Sequence, residues 1–316
     1  YVSSYIKCYY PDVFACALLN SMPMGFYQPA QIVIDAQKHG VEVRPVDVNL
    51  SYWDNTIESK ESKPYAVRLG FRQVKGLRED DMQALVAARG NGYTAVHSLR
   101  DAGVPQTAIE KLADADAFRS MELDRRRALW EVSALHDRPI GVFTGLPSES
   151  TVEAPAALPE MRLSEHVVHD YATTSLSLKA HPVSFVREKL ELLRVIPIKE
   201  LDNMSDGMPV KVAGLVLVRQ RPGTANNILF ITIEDETGTA NLVVFEKLFD
   251  QFRKEILPAR LLMVEGKLQK EGEVVHVILS SCNDVSKLLR GLTAPATEDA
   301  KDANIEMIFP DGRNFK

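Results

Sequence analysis

Lys75-Gly76-Leu77-Arg78 places a glycine between two cations, directly ahead of an amphipathic stretch over residues 79 to 86. A glycine at such a turn lets backbone come close to a ligand where a side chain would obstruct it. A helix starting at about Glu79 turns its unpaired N–H groups and the positive end of its dipole toward the same point. That combination suits a phosphate, and Lys75 and Arg78 add charge to it. A second, more degenerate copy follows, with a helical stretch over residues 96 to 102, the turn Gly103-Val104-Pro105 and another helical stretch over residues 106 to 113. Further along, Arg219 and Arg221 share a face by strand parity. On the next strand Phe230 and Thr232 alternate with Leu229, Ile231 and Ile233. An aromatic beside two guanidiniums suits base stacking, worth about 1 to 3 kcal/mol per base, and tracking of a charged backbone. The other reading has Phe230 closing a barrel while the arginines solvate its rim, and parity in a strongly coiled sheet leaves both open.

Other candidates read as structural. Asp114 and Asp116 have the spacing of a two-metal pair, but they end a short helix with no third acid converging, so no catalytic residue is assigned. His166, His169 and His181 lack the Cys or carboxylate spacing of a metal site, and Cys8, Cys16 and Cys282 are too scattered for zinc or a disulfide framework. The cysteines are expected to be reduced core residues. Arg125-Arg126-Arg127 is either a solvated helix face or a secondary contact to DNA.

These groups need elements to hold them. Residues 71 to 86 fit the helix-hairpin-helix template, apolar-x-x-apolar-x-Gly-apolar-x followed by an amphipathic helix, with Arg78 where a second glycine is usual. Tandem hairpins of this kind grip duplex backbone without reading sequence. Residues 210 to 218, 228 to 234, 240 to 245, 261 to 268 and 274 to 279 read as five strands, with a helix over 246 to 256 between the third and fourth. That order is the order of an OB-fold, a small Greek-key barrel that receives single-stranded nucleic acid. The fold class is α+β and multidomain. A mainly helical N-terminal part carries the tandem hairpins and a C-terminal five-stranded OB-fold barrel follows. The expected divisions are 1–64, the hairpin domain 65–138, a Pro-rich linker 139–163, a helical connector 164–207, the barrel 208–290 and a flexible polar tail 291–316.

Composition sets limits on both sites. At 316 residues, 45% hydrophobic, 25% charged and a net charge of −6, the chain has room for two or three domains and is not a broadly basic binder. Any nucleic-acid surface must be local, because residues 65 to 138 hold 12 Lys and Arg against 11 Asp and Glu. With no apolar run near the roughly 18 to 20 residues of a membrane span, and no signal peptide, a soluble cytoplasmic protein with no membrane association is expected.

Tyr10-Pro11 with Phe14, Ala17-Leu18-Leu19-Asn20 and Pro45-Val46-Asp47-Val48-Asn49 with Ser51 resemble the closing part of the fingers domain in bacterial C-family DNA polymerases, the group of the replicative polymerase III α subunit. Met22-Pro23-Met24-Gly25-Phe26-Tyr27, Arg219-Gln220-Arg221-Pro222-Gly223, Glu234-Asp235-Glu236-Thr237-Gly238 and the ending Gly312-Arg313-Asn314-Phe315 are similar to the error-prone, damage-tolerance branch. The resemblance implies the C-terminal third of a translesion polymerase, with residues 1–64 ending the fingers and the catalytic palm upstream of Tyr1. It implies magnesium for the parent enzyme and no cofactor here. Its implied partners are primer–template duplex at Lys75, Gly76, Leu77, Arg78, Gly103 and Val104, single-stranded template at Arg219, Arg221, Phe230 and Thr232, an adaptor protein, and through it a sliding clamp. Two alternatives stand beside this reading: a protein-interaction platform and a stand-alone nucleic-acid-binding module.

Overall fold

The computed structural model describes residues 1–24, 28–59, 61, 64–135, 158–223, 227–272, 274–293, 308–309 and 313–315. Most of the expected linker 139–163 lies outside them. The chain forms two compact units, one of Tyr1–Met161 with Thr173–Leu178 and one of Arg162–Ala172 with Lys179–Lys316. Among the described residues no helix is long and apolar enough to cross a membrane.

In the first unit α1 (Val2–Tyr9), α2 (Pro11–Asn20) and α3 (Pro29–Lys38) precede a small sheet of β1 (Val43–Arg44), β2 (Thr56–Glu58) and β3 (Ala66–Arg68), ordered β1-β3-β2. Proline opens both α2 and α3, where its fixed φ suits the first turn and its missing N–H costs nothing. Four helices follow: α4 (Glu79–Ala88), α5 (Val96–Asp101), α6 (Gln106–Asp114) and α7 (Arg125–Ala134). The Pro45–Ser51 stretch joins sheet to helices. Asp47 is buried and its carboxylate accepts from the Asn49 and Ser120 amides and the Ser120 hydroxyl, while Asn49 Nδ2 donates to Tyr93 O. Ser51 Oγ donates to Leu69 O at 2.7 Å. Their polar side chains replace the backbone pairing that a buried loop would otherwise lose.

The second unit takes α8 (Leu163–Thr174) as far as Ala172 and α9 (Arg187–Leu192) and continues as β4 (Pro209–Gln220), β5 (Leu229–Glu234), β6 (Thr239–Val244), α10 (Glu246–Gln251), α11 (Arg253–Ile256), β7 (Leu261–Glu271) and β8 (Val274–Asp284). The strands run β5-β6-β8-β7-β4, and β4 pairs again with β5, which closes the five-stranded barrel. β4 manages both ends by using its first half against β7 and its second half against β5. Gly214 lies where the partners change; a Cβ there would sit 2.6 Å from Glu234 O. Glu234-Asp235-Glu236-Thr237-Gly238 is a structural turn. Asp235 accepts from the Thr237 and Gly238 amides, the Thr237 hydroxyl, the Ile198 amide and Arg187.

Two expectations are corrected here. The tail expected to be flexible over 291–316 returns to the barrel in the parts that are described. Phe309 is 1% exposed and packs at a tilt against Tyr171 with ring centroids 5.3 Å apart, its carbonyl accepts from Arg260, and β9 (Arg313–Phe315) pairs in parallel with Val218–Gln220 of β4. Ile308 and Phe309 supply apolar burial that the polar average of the tail conceals. Phe309→Ala is expected to cost the second unit about 3 to 5 kcal/mol, read as a lower urea midpoint; a loss under about 1 kcal/mol would mean the tail is not anchored there. The second correction concerns cysteine: Cys16 and Cys282 are buried, but Cys8 lies exposed on α1. Burial, with Glu255 nearby, pushes the Cys282 thiol up to about 12, which keeps it unreactive.

Candidate nucleic-acid interface

The two hairpins differ in construction. Before the first stands only a single 3₁₀ turn, Phe71–Gln73, where the template expects a helix. Gly76 adopts φ +76°, and its carbonyl accepts from Lys111 Nζ at 2.6 Å, so a lysine of α6 already lies against that turn. A Cβ on Gly76 would meet Lys111 Nζ at 2.9 Å. Leu77 is half-buried. Lys75 reaches the surface, and its partial burial holds the ammonium below the ordinary lysine range, a shift that a bound phosphate would oppose. Arg78 is 75% exposed, with Asp80 3.8 Å away. Glu79, Asp80 and Asp81 fill the first turn of α4. Three carboxylates there already satisfy the helix dipole and repel a phosphate.

The second hairpin is complete. α5 ends in a Schellman arrangement, with Gly103 N–H donating to Arg100 O and Val104 N–H to Leu99 O. Gly103 sits at φ +83°, and a Cβ added there would have nothing within 4 Å. α6 then starts at Gln106 with no acidic residue in its first turn. Val104, expected as a backbone contact, is 2% exposed and its N–H is taken by Leu99 O, so it anchors the turn in the core instead. The structure thus brings an open glycine and an uncovered helix start together in the copy that looks weaker in sequence.

Neither aspartate of the 114/116 pair points to metal chemistry. Asp116 is buried and holds Arg119 through both carboxylate oxygens, at 2.8 and 2.9 Å. Among the described residues no group of three or more His, Cys, Asp or Glu could hold a metal. Of the Arg125–Arg127 run, Arg125 is fully buried, Arg126 donates to Pro159 O and Arg127 faces Asp124.

On the barrel the two arginines separate. Arg219, expected on the outer face, is 2% exposed: Nε donates to Ile256 O at 3.0 Å and Nη2 to Ala259 O at 2.5 Å. A β-bulge is the cause. Val216 pairs with Ile233, but the next pair is Val218 with Thr232, so one residue is skipped and parity inverts. Before the bulge Val210, Val212 and Val216 fill the core; after it Arg219 opposes core Ile231. Its guanidinium caps the carbonyls where α11 ends. Arg221 remains near the surface, its guanidinium 5.1 Å from the Phe249 ring centroid and 3.6 Å from Glu246.

Phe230 and Thr232 do face outward, with Leu229, Ile231 and Ile233 buried between them. Register extends their face across two more strands. Thr232 pairs with Asn241 and Asn241 with His276; Phe230 pairs with Val243 and Val243 with Ile278. Sequence reasoning misses Asn241, Val243, His276 and Ile278, because strand order rather than sequence spacing brings them together.

Comparison with known proteins agrees with this geometry. A family model described as a helix-hairpin-helix motif matches residues 40–128, and one described as an OB-fold nucleic acid binding domain matches residues 210–285. The chain is 47% identical over 313 residues to error-prone DNA polymerase 1 of Rhizobium meliloti (strain 1021), covering 92% of this chain and 28% of that protein. It is 51% identical over 302 residues to error-prone DNA polymerase 2 of Agrobacterium fabrum, again covering 92% and 28%. To the error-prone DNA polymerase of Brucella abortus it is 44% identical over 327 residues, covering 100% of this chain and 30% of that one. The chain therefore spans under a third of the length of these curated relatives, and over nearly all of its own length it belongs to the error-prone DNA polymerases, the polymerase III α-like enzymes.

Proposed function

We propose that this chain is the DNA-holding, C-terminal part of a damage-tolerance polymerase that extends primers past lesions in the cytoplasm. The carrying observation is the open Gly103 turn in front of α6, set in a segment that matches a helix-hairpin-helix model. Backbone amides that open α6 behind such a turn hold phosphate oxygens of primer–template duplex without reading bases. The barrel's outer face holds the single-stranded template beyond the duplex. Magnesium-assisted nucleotidyl transfer belongs to the parent enzyme; among the described residues there is no ligand set for the ion, and no step is assigned to them. An adaptor protein of the damage-tolerance complex, and through it the sliding clamp, complete the proposed assembly.

A fluorescent primer–template titrated with this chain at about 50 mM salt is expected to bind, with affinity falling as salt rises by a slope of only a few phosphate contacts. Primer extension by this chain with magnesium and nucleotides is expected to be nil. Absence of DNA binding at low salt would favour the protein-interaction platform, and extension activity would overturn the assignment of catalysis to another part of the polypeptide.

A further inference from the structure

The outer face of the barrel carries two parallel rows of side chains. One row is Thr232, Asn241 and His276, continued by Gln269 on β7; the other is Phe230, Val243 and Ile278, flanked by Gln220 and ended by Lys267. Residues of the two rows stand two apart on each strand, so the rows are about 6.6 Å apart, roughly twice the 3.4 Å per-strand rise of stacked DNA. A strand laid across them is drawn out of its stack, with each base free to meet a side chain. The apolar row offers an aromatic ring and two branched aliphatic surfaces for base faces. The polar row offers the amide of Asn241 and the hydroxyl of Thr232 for base edges, and Thr232 Oγ1 donates to Asn241 Oδ1 at 2.9 Å.

The same face is poor in cations. Arg219 is in the core, Arg221 is engaged with Phe249 and Glu246, and Lys267 alone ends the apolar row. Among the described residues the loop joining β4 and β5 contributes no cation besides Arg221, and Glu271 at the end of β7 brings a carboxylate. In an OB-fold this loop and the β7–β8 turn border the ligand. A negatively charged backbone gains little here, whereas uncharged base faces meet an uncharged surface.

We infer that this face takes single-stranded DNA by its unstacked bases and leaves the phosphates to solvent. This rests on the single-strand reading of the barrel given above. Affinity for single strands then depends on the presence of bases and hardly on backbone charge, the reverse of the duplex contact at the hairpin. In a polymerase that copies damaged template, such a face distinguishes strand with bases from strand without them.

The test uses the whole chain with three labelled oligothymidylates: phosphodiester, uncharged methylphosphonate, and one whose central stretch is abasic. The methylphosphonate is expected to bind within about threefold of the phosphodiester, with a log–log salt slope near −0.7 for the one lysine. The abasic strand and the Phe230→Ala variant are each expected to lose about tenfold, one stacked base being worth about 1 to 3 kcal/mol, while blunt duplex affinity is unchanged by the variant. A steep salt slope with loss of methylphosphonate binding, Phe230→Ala still weakening the phosphodiester, overturns the inference and leaves the single-strand reading standing. If Phe230→Ala changes no oligonucleotide's affinity, the single-strand reading itself fails and the face is left for a protein. The three oligonucleotides on the unsubstituted chain decide the backbone question even where the variant folds poorly.

Discussion

Arg219→Ala is expected to lower the unfolding free energy of the barrel by about 4 kcal/mol. Its guanidinium is fully buried and donates to the carbonyls of Ile256 and Ala259, where α11 ends and no further helical turn can satisfy them. Truncation leaves those carbonyls unpaired and opens a cavity the size of the lost side chain. Arg219→Met refills most of the volume without the donors, so it should recover part of the loss and leave about 2 kcal/mol. Arg221→Ala, two residues along, should cost under about 0.5 kcal/mol because its ion pair is exposed and 3.6 Å long. Both tryptophans, Trp53 and Trp130, lie in the first unit, so fluorescence does not report on the barrel. Hydrogen exchange at core amides such as Leu262 and Val277 does. Loss of protection smaller than about 1 kcal/mol in Arg219→Ala would return this arginine to the surface, and with it the phosphate-tracking role that its sequence position suggests.

That arginine also marks the limit of what the sequence discloses. Alternation along Leu229, Phe230, Ile231, Thr232 and Ile233 is local, and each residue lies on the side that parity assigns. On β4 the same rule fails past Val216, because a bulge is a property of the pairing between two strands and leaves no mark in the spacing of one. The face gathered from Asn241, Val243, His276 and Ile278 is hidden for the same reason. β6 and β8 are separated in sequence by α10, α11 and β7, and only the parallel pairing puts His276 beside Asn241. The five strands, their helix and the tandem hairpins are legible since each is written in local periodicity and turn residues. Average polarity misleads at the tail, where Ile308-Phe309 is enough apolar surface to tie it down.

Gly103→Ala is expected to weaken primer–template binding about tenfold, whereas Gly76→Ala changes it less than about threefold. At φ +83° a Cβ costs about 1 kcal/mol of backbone strain, and it stands in the open space through which a phosphate would reach the turn. At Gly76 the added methyl meets only the mobile end of Lys111, in front of a helix whose first turn already holds Glu79, Asp80 and Asp81. The electrostatic argument also runs in the other direction. Neutralising those three acids as Glu79→Gln, Asp80→Asn and Asp81→Asn removes competitors worth about 0.3 to 1 kcal/mol each, so duplex affinity should rise about tenfold even as α4 loses stability. The gain should shrink as salt rises, and it should survive Gly103→Ala, since it arises at the other hairpin. Equal losses from the two glycine variants, with no gain from neutralisation, would show both hairpins gripping duplex alike and would remove the distinction drawn between them.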